Sequence, residues 1–474
     1  MSKVIYNKLL KESKIKKESF LINFSEKIIN GEASLFLGTG LSMNSGVPSW
    51  KKLLSPCLEQ LNMSTSPNPD LFKVAQYYAN QYSDARLRSL VNGQINNFFE
   101  GNDVLTALLN NEFKNIWTTN YDTLIEQELT KRHIAHNVIS NEQNLTQICT
   151  YDKINIFKIN GDVSDPQNMV LTQDDYERYE ETHSLFLTFL KKELVSNTFL
   201  FVGYSFSDQI VLNCLSSITR LLNRTGNLHY ALVYIDSNVG PELEYRAEDL
   251  KKRYNIECIF VNSELLLNSL NELTHKVKEK KIFISGAYYN VNKETDDFAD
   301  KLSKNLVVNL LNNGNRISTG IGRRLGTYIT GYAHQYLAEA GISKPQKYLS
   351  MRPFPFHLHL SESQKENYRV LMQQDCSTAI FMFGQSEGND LAGGYIKTGH
   401  YSSGVYQEFM IANKLGLRII PIGSTGYEAE IIWNEVKRNI NKYYYLSKKI
   451  DVLKNEKDPI KISNLVLSII NQQK

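Results

Sequence analysis

Six short apolar runs, rich in β-branched and aromatic residues, punctuate the first half of the chain: "ASLFLG" (33–38), "NIWTT" (115–119), "NIFKI" (155–159), "TFLFVG" (198–203), "YALVYI" (230–235) and "CIFVN" (258–262). Helix-length polar or amphipathic segments separate them. A continuous apolar run between helices is the pattern of a parallel strand buried on both faces. The series therefore predicts an α/β fold with an open parallel sheet of Rossmann type. After "SELLLNSLNELTHKVKEKK" (263–281), apolar at helical spacing and then strongly basic, a second series begins: "KIFISG" (281–286), "NRIST" (315–319), "TAIFMFG" (378–384) and "LRIIPIG" (417–423). The expectation is two domains, 1–275 and a smaller Rossmann-like 280–474, each of ordinary domain size.

The 474 residues carry 53 basic and 50 acidic side chains, a net charge of +3, which gives no reason to expect a nucleic-acid or membrane partner. No run approaches the roughly 18 apolar residues that span a bilayer. The Lys-rich start, "MSKVIYNKLLKESKIKKESF", has no continuous apolar core and reads as a solvated amphipathic helix rather than a leader. The five cysteines are scattered with no C-x-x-C pair, which predicts neither disulfides nor a zinc site and fits a cytoplasmic protein without metal.

Polar clusters follow three of the strands. "SLFLGTGLSMNSGVPSW" (34–50) runs from a strand into Gly38, Thr39 and Gly40, with Ser42 behind them. Glycines in such a turn let backbone N–H groups approach a pyrophosphate, and the following helix start adds favourable partial charge. The spacing is not G-x-G-x-x-G, and no P-loop Lys-Ser/Thr follows, which disfavours hydride transfer and ATP hydrolysis. "WTTNYDTLIE" (117–126) places Asn120 and Asp122 at a strand end, and "FLFVGYSFSD" (199–208) places Gly203, Ser205 and Asp208 at another. Each alone is compatible with helix capping. All would face one crevice in a parallel sheet.

Together these pieces resemble the sirtuin-like NAD-binding fold over roughly residues 20–262. "GTGLSMNSGVPSW" is similar to Gly-Ala-Gly-x-Ser followed by Gly-Ile-Pro-x-Phe, and "TTNYD" to Thr-Gln-Asn-x-Asp. The resemblance implies that Gly38, Thr39, Gly40, Ser42, Gly203 and Asp208 line the NAD site. It also implies that Asn120 positions the attacking water or the nicotinamide ribose, Asp122 holds the carboxamide, and Ser205 lies near the adenosine ribose. The zinc module of deacetylating sirtuins is absent; the pattern looks like the bacterial defence branch, which hydrolyses NAD. A zinc-free protein deacylase is the alternative.

"NIFKINGDV" (155–163) reads by itself as a strand ending in an Asn-Gly turn, a common hairpin signal. In the resembled family the corresponding strand ends in Lys-x-His-Gly-Asp, so Asn160 stands at the catalytic histidine. An amide cannot accept a proton near neutral pH. The expectation is a catalytically inactivated chain, either engineered or natural, with the intact surrounding motif favouring an engineered replacement. His133, His136, His183 and His229 fall at no recognisable strand-end site.

The second series repeats the logic. A strand leads into Ser285 and Gly286; another leads into Gly320, Gly322 and Gly326 with Arg323 and Arg324 alongside. Arg369 precedes a third strand, and Glu408 lies early on a helix. Glycine turns with adjacent arginines suit a phosphorylated ligand, and a carboxylate can accept ribose hydroxyls. The loop "FGQSEGNDLAGGYIKTGHYSSG" (383–404) is glycine-rich, reads as mobile, and carries Lys397.

This half is similar to the SLOG family of nucleotide-sensing domains. "RPFP" (352–355), "NYR" (367–369), "QEF" (407–409) and "STGYEAEIIW" (424–433) look like those of the Thoeris antiphage defence effectors. That resemblance implies an abortive-infection NADase switched on by a cyclic ADP-ribose isomer, which TIR-domain partner proteins make. Ser285, Gly286, Gly320, Gly322, Arg323, Arg369, Lys397 and Glu408 would bind the signal. It further implies a homo-oligomer, tetramer or filament.

Overall fold

Seven strands form the sheet of the first unit: β1 (Ala33–Leu37), β2 (Asn115–Thr118), β3 (His136–Ile139), β4 (Ile154–Lys158), β5 (Thr198–Val202), β6 (His229–Tyr234) and β7 (Ile256–Val261). They lie in the order β3-β4-β2-β1-β5-β6-β7 with every neighbouring pair parallel. The structure is a computed structural model and describes residues 2–63, 69–97, 99–148, 153–223, 225–289, 293–355, 358–386 and 402–472. Two compact units divide the chain, Met1–Thr274 and His275–Lys474.

Register brings the functional ends level. Leu37 lies opposite both Thr118 and Val202, and Thr118 opposite Lys158. The residues that follow β1, β2, β4 and β5 therefore emerge side by side. The chain moves from β1 to one side of the sheet and then, at β5, to the other, so that edge is a topological switch point where an open α/β sheet binds ligands. Beneath it, Trp117 stacks on Phe157 at 4.1 Å, with Phe186 edge-on to Trp117 at 5.6 Å.

Three expectations need correction. Asn160-Gly161 does form a turn, with Gly161 at φ +87°. It closes no hairpin, because β4 is flanked by β2 and β3, both parallel to it. The Lys-rich start is not merely a solvated helix: within Ser2–Asn30, Phe20 and Phe24 are fully buried and pack on Tyr230 at 5.1 and 6.0 Å. β3 had no apolar run to announce it, since His136, Asn137 and Val138 are only partly buried at the sheet edge.

The second unit holds β8 (Lys281–Ser285), β9 (Arg316–Thr319), β10 (Leu349–Met351), β11 (Thr378–Phe381) and β12 (Arg418–Pro421), ordered β10-β9-β8-β11-β12 and all parallel. Its switch point falls between β8 and β11. The fold is thus two Rossmann-like α/β units. Among the described residues no helix is long and apolar enough to cross a membrane, and no cluster of His, Cys, Asp and Glu is placed to hold a metal ion.

Candidate functional site

The turns after β1 and β5 interlock. Gly38 N–H donates to Val202 O at 3.0 Å, and Gly40 N–H to Gly203 O at 2.9 Å. A Cβ on Gly38 would lie 2.4 Å from Gly203 O, and one on Gly203 would lie 2.5 Å from Leu41 N. Gly203 also sits at φ +67°. Both turns therefore require glycine so that two backbones can touch. Gly38→Ala is expected to lower stability by about 1–3 kcal/mol through overpacking. Gly93→Ala, in the helix Asp84–Ile95 with nothing within 4 Å, is the control and should not destabilise. Denaturant midpoints of the two variants check both.

Beside these turns opens a cavity of about 640 Å³, lined by Thr39, Gly40, Gly203 and Ser205 and walled by Leu232, Leu243, Leu250 and Phe260. Of the residues expected to hold a dinucleotide, these four reach the cavity. Gly38 serves the close packing instead. Ser205 is exposed, and its hydroxyl pairs with that of Ser207 at 2.6 Å.

Ser42, Asn120, Asn160 and Asp208 meet in a separate polar nook at the ends of the strands. Asn120 Nδ2 donates to Ser42 Oγ at 2.9 Å, and Asn120 N–H to Thr118 Oγ1 at 3.0 Å. Asn160 Nδ2 lies 3.4 Å from both Thr119 O and Asp208 Oδ2. Asp208 also accepts from Tyr176 OH at 2.5 Å and caps the helix Gln209–Leu221 through Ile210 N–H. The Oδ1 atoms of Asn120 and Asn160 are both buried without a hydrogen-bond partner among the described residues. A buried acceptor left unpaired is unfavourable by about 1–3 kcal/mol, so a native site normally presents it to a ligand or water. Asp122 is buried too, but its Oδ1 accepts from Leu124 N–H at the start of the next helix.

Lys158 fixes this nook from below. It is fully buried, and its Nζ donates to Tyr121 O at 3.1 Å, Asp122 O at 2.5 Å and Glu126 Oε1 at 3.0 Å, and also to Asp162 Oδ2. Burial works against the ammonium, but Glu126 and Asp162 outweigh it and hold the Lys158 pKa above its ordinary value. One side chain thus ties the Asn120–Asp122 loop to the Asn160–Asp162 turn. The sequence signal for this task is a lysine inside the apolar parallel strand β4. Tyr176 was missed, because its segment reads as an ordinary polar helix.

Among the described residues, no histidine hydrogen-bonds Asn120, Asn160 or Asp208. His229 lies at the opposite end of the sheet, where its Nδ1 accepts from Phe199 N–H at 3.1 Å and burial lowers its pKa to about 4. His183 stacks on Tyr179 at 4.2 Å, and His136 opens β3.

In the second unit Ser285 Oγ donates to Glu408 Oε2 at 2.6 Å. Burial pushes the Glu408 carboxyl up, with Ser285 and the Arg369 charge pulling the other way. The Arg369 guanidinium lies over Phe354 at 4.6 Å, and its Nε is buried without a partner among the described residues. A Cβ on Gly322 would meet Gly286 O at 2.0 Å, so these two turns interlock as in the first unit. Gly320 abuts Met372 Sδ, where a Cβ would sit at 2.9 Å, and Arg323 lies over Tyr289 at 4.5 Å. Non-glycine residues in left-handed backbone gather at this edge: Ile321 (φ 52°), Arg324 (φ 58°), Phe383 (φ 58°) and Tyr427 (φ 54°). Lys397 lies outside the described residues.

Residues 114–259 match the SIR2-like domain family, and residues 266–473 match the Sir2- and TIR-associating SLOG family. The chain is 30% identical to the NAD(+) hydrolase ThsA of Bacillus cereus (strain MSX-D12), over 96% of this chain and 97% of that one. It is also 30% identical to the NAD(+) hydrolase ThsA of Cytobacillus dafuensis, over 90% of each. A solved structure described as "Structural Basis for the Mechanism and Regulation of Sir2 Enzymes" overlaps 54% of this chain and 96% of its own, with 12% identity and a TM-score of 0.29. With its SIR2-like unit followed by a SLOG unit, and with full-length similarity to these relatives, the chain belongs to the ThsA family.

Proposed function

We propose that this chain is an antiphage defence effector built as a NAD glycohydrolase, gated by a cyclic ADP-ribose isomer bound at the second unit, and catalytically inactivated by Asn160. The observation that carries the reading is the polar nook of the first unit, where two buried amide oxygens have no hydrogen-bond partner among the described residues and Asn120 holds Ser42, on the short helix that follows Gly38. The relatives' shared name, NAD(+) hydrolase, supports NAD as the substrate. Hydrolysis breaks the bond between nicotinamide and C1′ of its ribose, and water adds at C1′ and loses a proton. Asn120 would hold the ribose or the water. Asn160 can orient either but cannot take the proton.

At the second unit, the Ser285–Glu408 pair offers acceptors to ribose hydroxyls, and Arg369 offers an unused N–H to a phosphate. Moving such an enzyme from about 1% to 99% active requires roughly 5.5 kcal/mol of differential ligand affinity, which a few charge-assisted hydrogen bonds supply. Arg369→Ala should weaken binding of a cyclic ADP-ribose isomer by about 10- to 100-fold, as measured by calorimetry on the full chain. The TIR-domain partner as source of the signal and the tetramer or filament rest on the family resemblance, and the cytoplasmic location on the scattered cysteines.

Asn160 also favours a second reading, a silent sensor that works by assembly alone. The deciding experiment follows NAD consumption with and without a cyclic ADP-ribose isomer, for this chain and for Asn160→His. Signal-dependent hydrolysis in the histidine variant supports the gated enzyme. Inertness of both, with ligand binding intact, leaves the sensor.

A further inference from the structure

The cavity beside the glycine turns has an uneven chemistry. Its walls are largely apolar, and among the described residues no carboxylate lines it. One charged side chain does: Arg246, on the helix Glu242–Tyr254. The other cations of that helix are each ion-paired, Lys251 to Glu257 at 2.9 Å, Lys252 to Glu248 at 2.5 Å and Arg253 to Asp249 at 3.3 Å. No hydrogen bond or ion pair among the described residues holds the Arg246 guanidinium. Its charge reaches the cavity wall: burial pushes the Cys258 thiol up to about 12, and the charges of Lys16 and Arg246 pull it the other way.

A dinucleotide whose pyrophosphate sits at the Thr39–Gly40 and Gly203 turns places its adenosine in this apolar space. In open α/β sheets a carboxylate on the adenosine ribose selects the free 2′-hydroxyl and repels a 2′-phosphate, whereas an arginine accommodates the phosphate. The carboxylate that follows β6, Asp236, is exposed, lies outside the cavity lining, and accepts from Asn238 N–H at 2.8 Å. The cavity therefore presents the arginine and withholds the carboxylate.

We propose that the first unit takes the 2′-phosphorylated dinucleotide NADP as well as NAD, with Arg246 as the contact to the 2′-phosphate. This rests on the reading of the cavity as the adenosine half of a NAD site. The reaction is unchanged: water oxygen bonds to C1′, the bond from C1′ to the nicotinamide nitrogen breaks, and nicotinamide leaves with the electron pair that neutralises its ring. One proton is released, and the second product is 2′-phospho-ADP-ribose. No oxidant or reductant is needed.

The test is calorimetric titration of the full chain with NAD and with NADP at one ionic strength, before and after Arg246→Ala. Because Arg246 is exposed, the variant should keep its fold, which a thermal melt verifies. The expected result is NADP binding at least as tight as NAD. Loss of Arg246 should weaken NADP by about 10- to 100-fold and leave NAD within about threefold, since one charge-assisted contact is removed. Arg246→Lys should restore part of the NADP affinity. In the Asn160→His background, nicotinamide release from NADP should fall with Arg246→Ala in the same proportion. NAD bound well but NADP more than about tenfold weaker overturns this inference and leaves the NAD reading standing. Equal weakening of both dinucleotides by Arg246→Ala also overturns it. Binding of neither overturns both.

Discussion

Histidine at position 160 should raise signal-stimulated NAD hydrolysis by about 10²- to 10⁴-fold over the chain as it stands, the usual range for a positioned general base. The nook already has the partners an imidazole needs. Asn160 Nδ2 faces two acceptors, Thr119 O and Asp208 Oδ2, each at 3.4 Å. An imidazole there can donate one ring N–H to Asp208 and keep the other nitrogen for a proton from water. Tyr176 and the backbone of Ile210 hold Asp208 in place for that role. The histidine variant should show a rate that rises with pH through about 6.5 or somewhat above, because a neighbouring carboxylate favours the protonated ring. The unaltered chain should show no such limb. Nicotinamide release between about pH 5 and pH 9 separates the two. A histidine variant that binds NAD and signal yet stays inert at every pH would leave the silent sensor as the working account.

Lys158→Met should destabilise the first unit by about 3–5 kcal/mol, the range for removing one partner of a buried ion pair. The side chain it removes is fully buried, and Glu126 and Asp162 would remain without their counter-charge. Two backbone carbonyls, of Tyr121 and Asp122, would lose their donor as well. Lys158→Met combined with Glu126→Gln and Asp162→Asn should recover much of the loss, because no net charge then stays buried. Urea midpoints of the single and triple variants measure this. NAD affinity should stay low in the triple variant even where stability returns, since the tie between the two loops is gone. Recovery of full affinity there would reduce Lys158 to a purely structural residue.

How much of this was legible in the sequence depended on burial. β1 and β5 are buried along their whole length and were read from their apolar runs. β3 and β10 are edge strands, half-exposed and only three or four residues long, so no apolar run marks them. Of the sites, the glycine turns and the strand-end polar residues were visible because a parallel sheet sends its C-terminal ends to one edge. The separation of Ser42, Asn120, Asn160 and Asp208 from the cavity of Thr39, Gly40 and Ser205 was not visible. Nor were the contacts of Lys158 with Glu126 and of Tyr176 with Asp208, each across 32 positions, or the place of Arg246 on the cavity wall.

The left-handed backbone of Ile321, Arg324, Phe383 and Tyr427 bears on how such a chain can change over generations. Each is disfavoured by roughly 1–2 kcal/mol relative to ordinary backbone, and glycine would relieve most of that. Glycine at Arg324, whose side chain is exposed, would therefore toughen the second unit at most modestly, whereas glycine at Phe383 would remove a buried ring packed on Tyr288 and Phe298 and cost about 3–5 kcal/mol. Packing in the core therefore accounts for Phe383, while the exposed Arg324 keeps a bulky side chain that packing does not demand. A library selected only for stability should accept glycine at Arg324 but retain Phe383, and the Arg324→Gly variants should fold well while responding poorly to nucleotide.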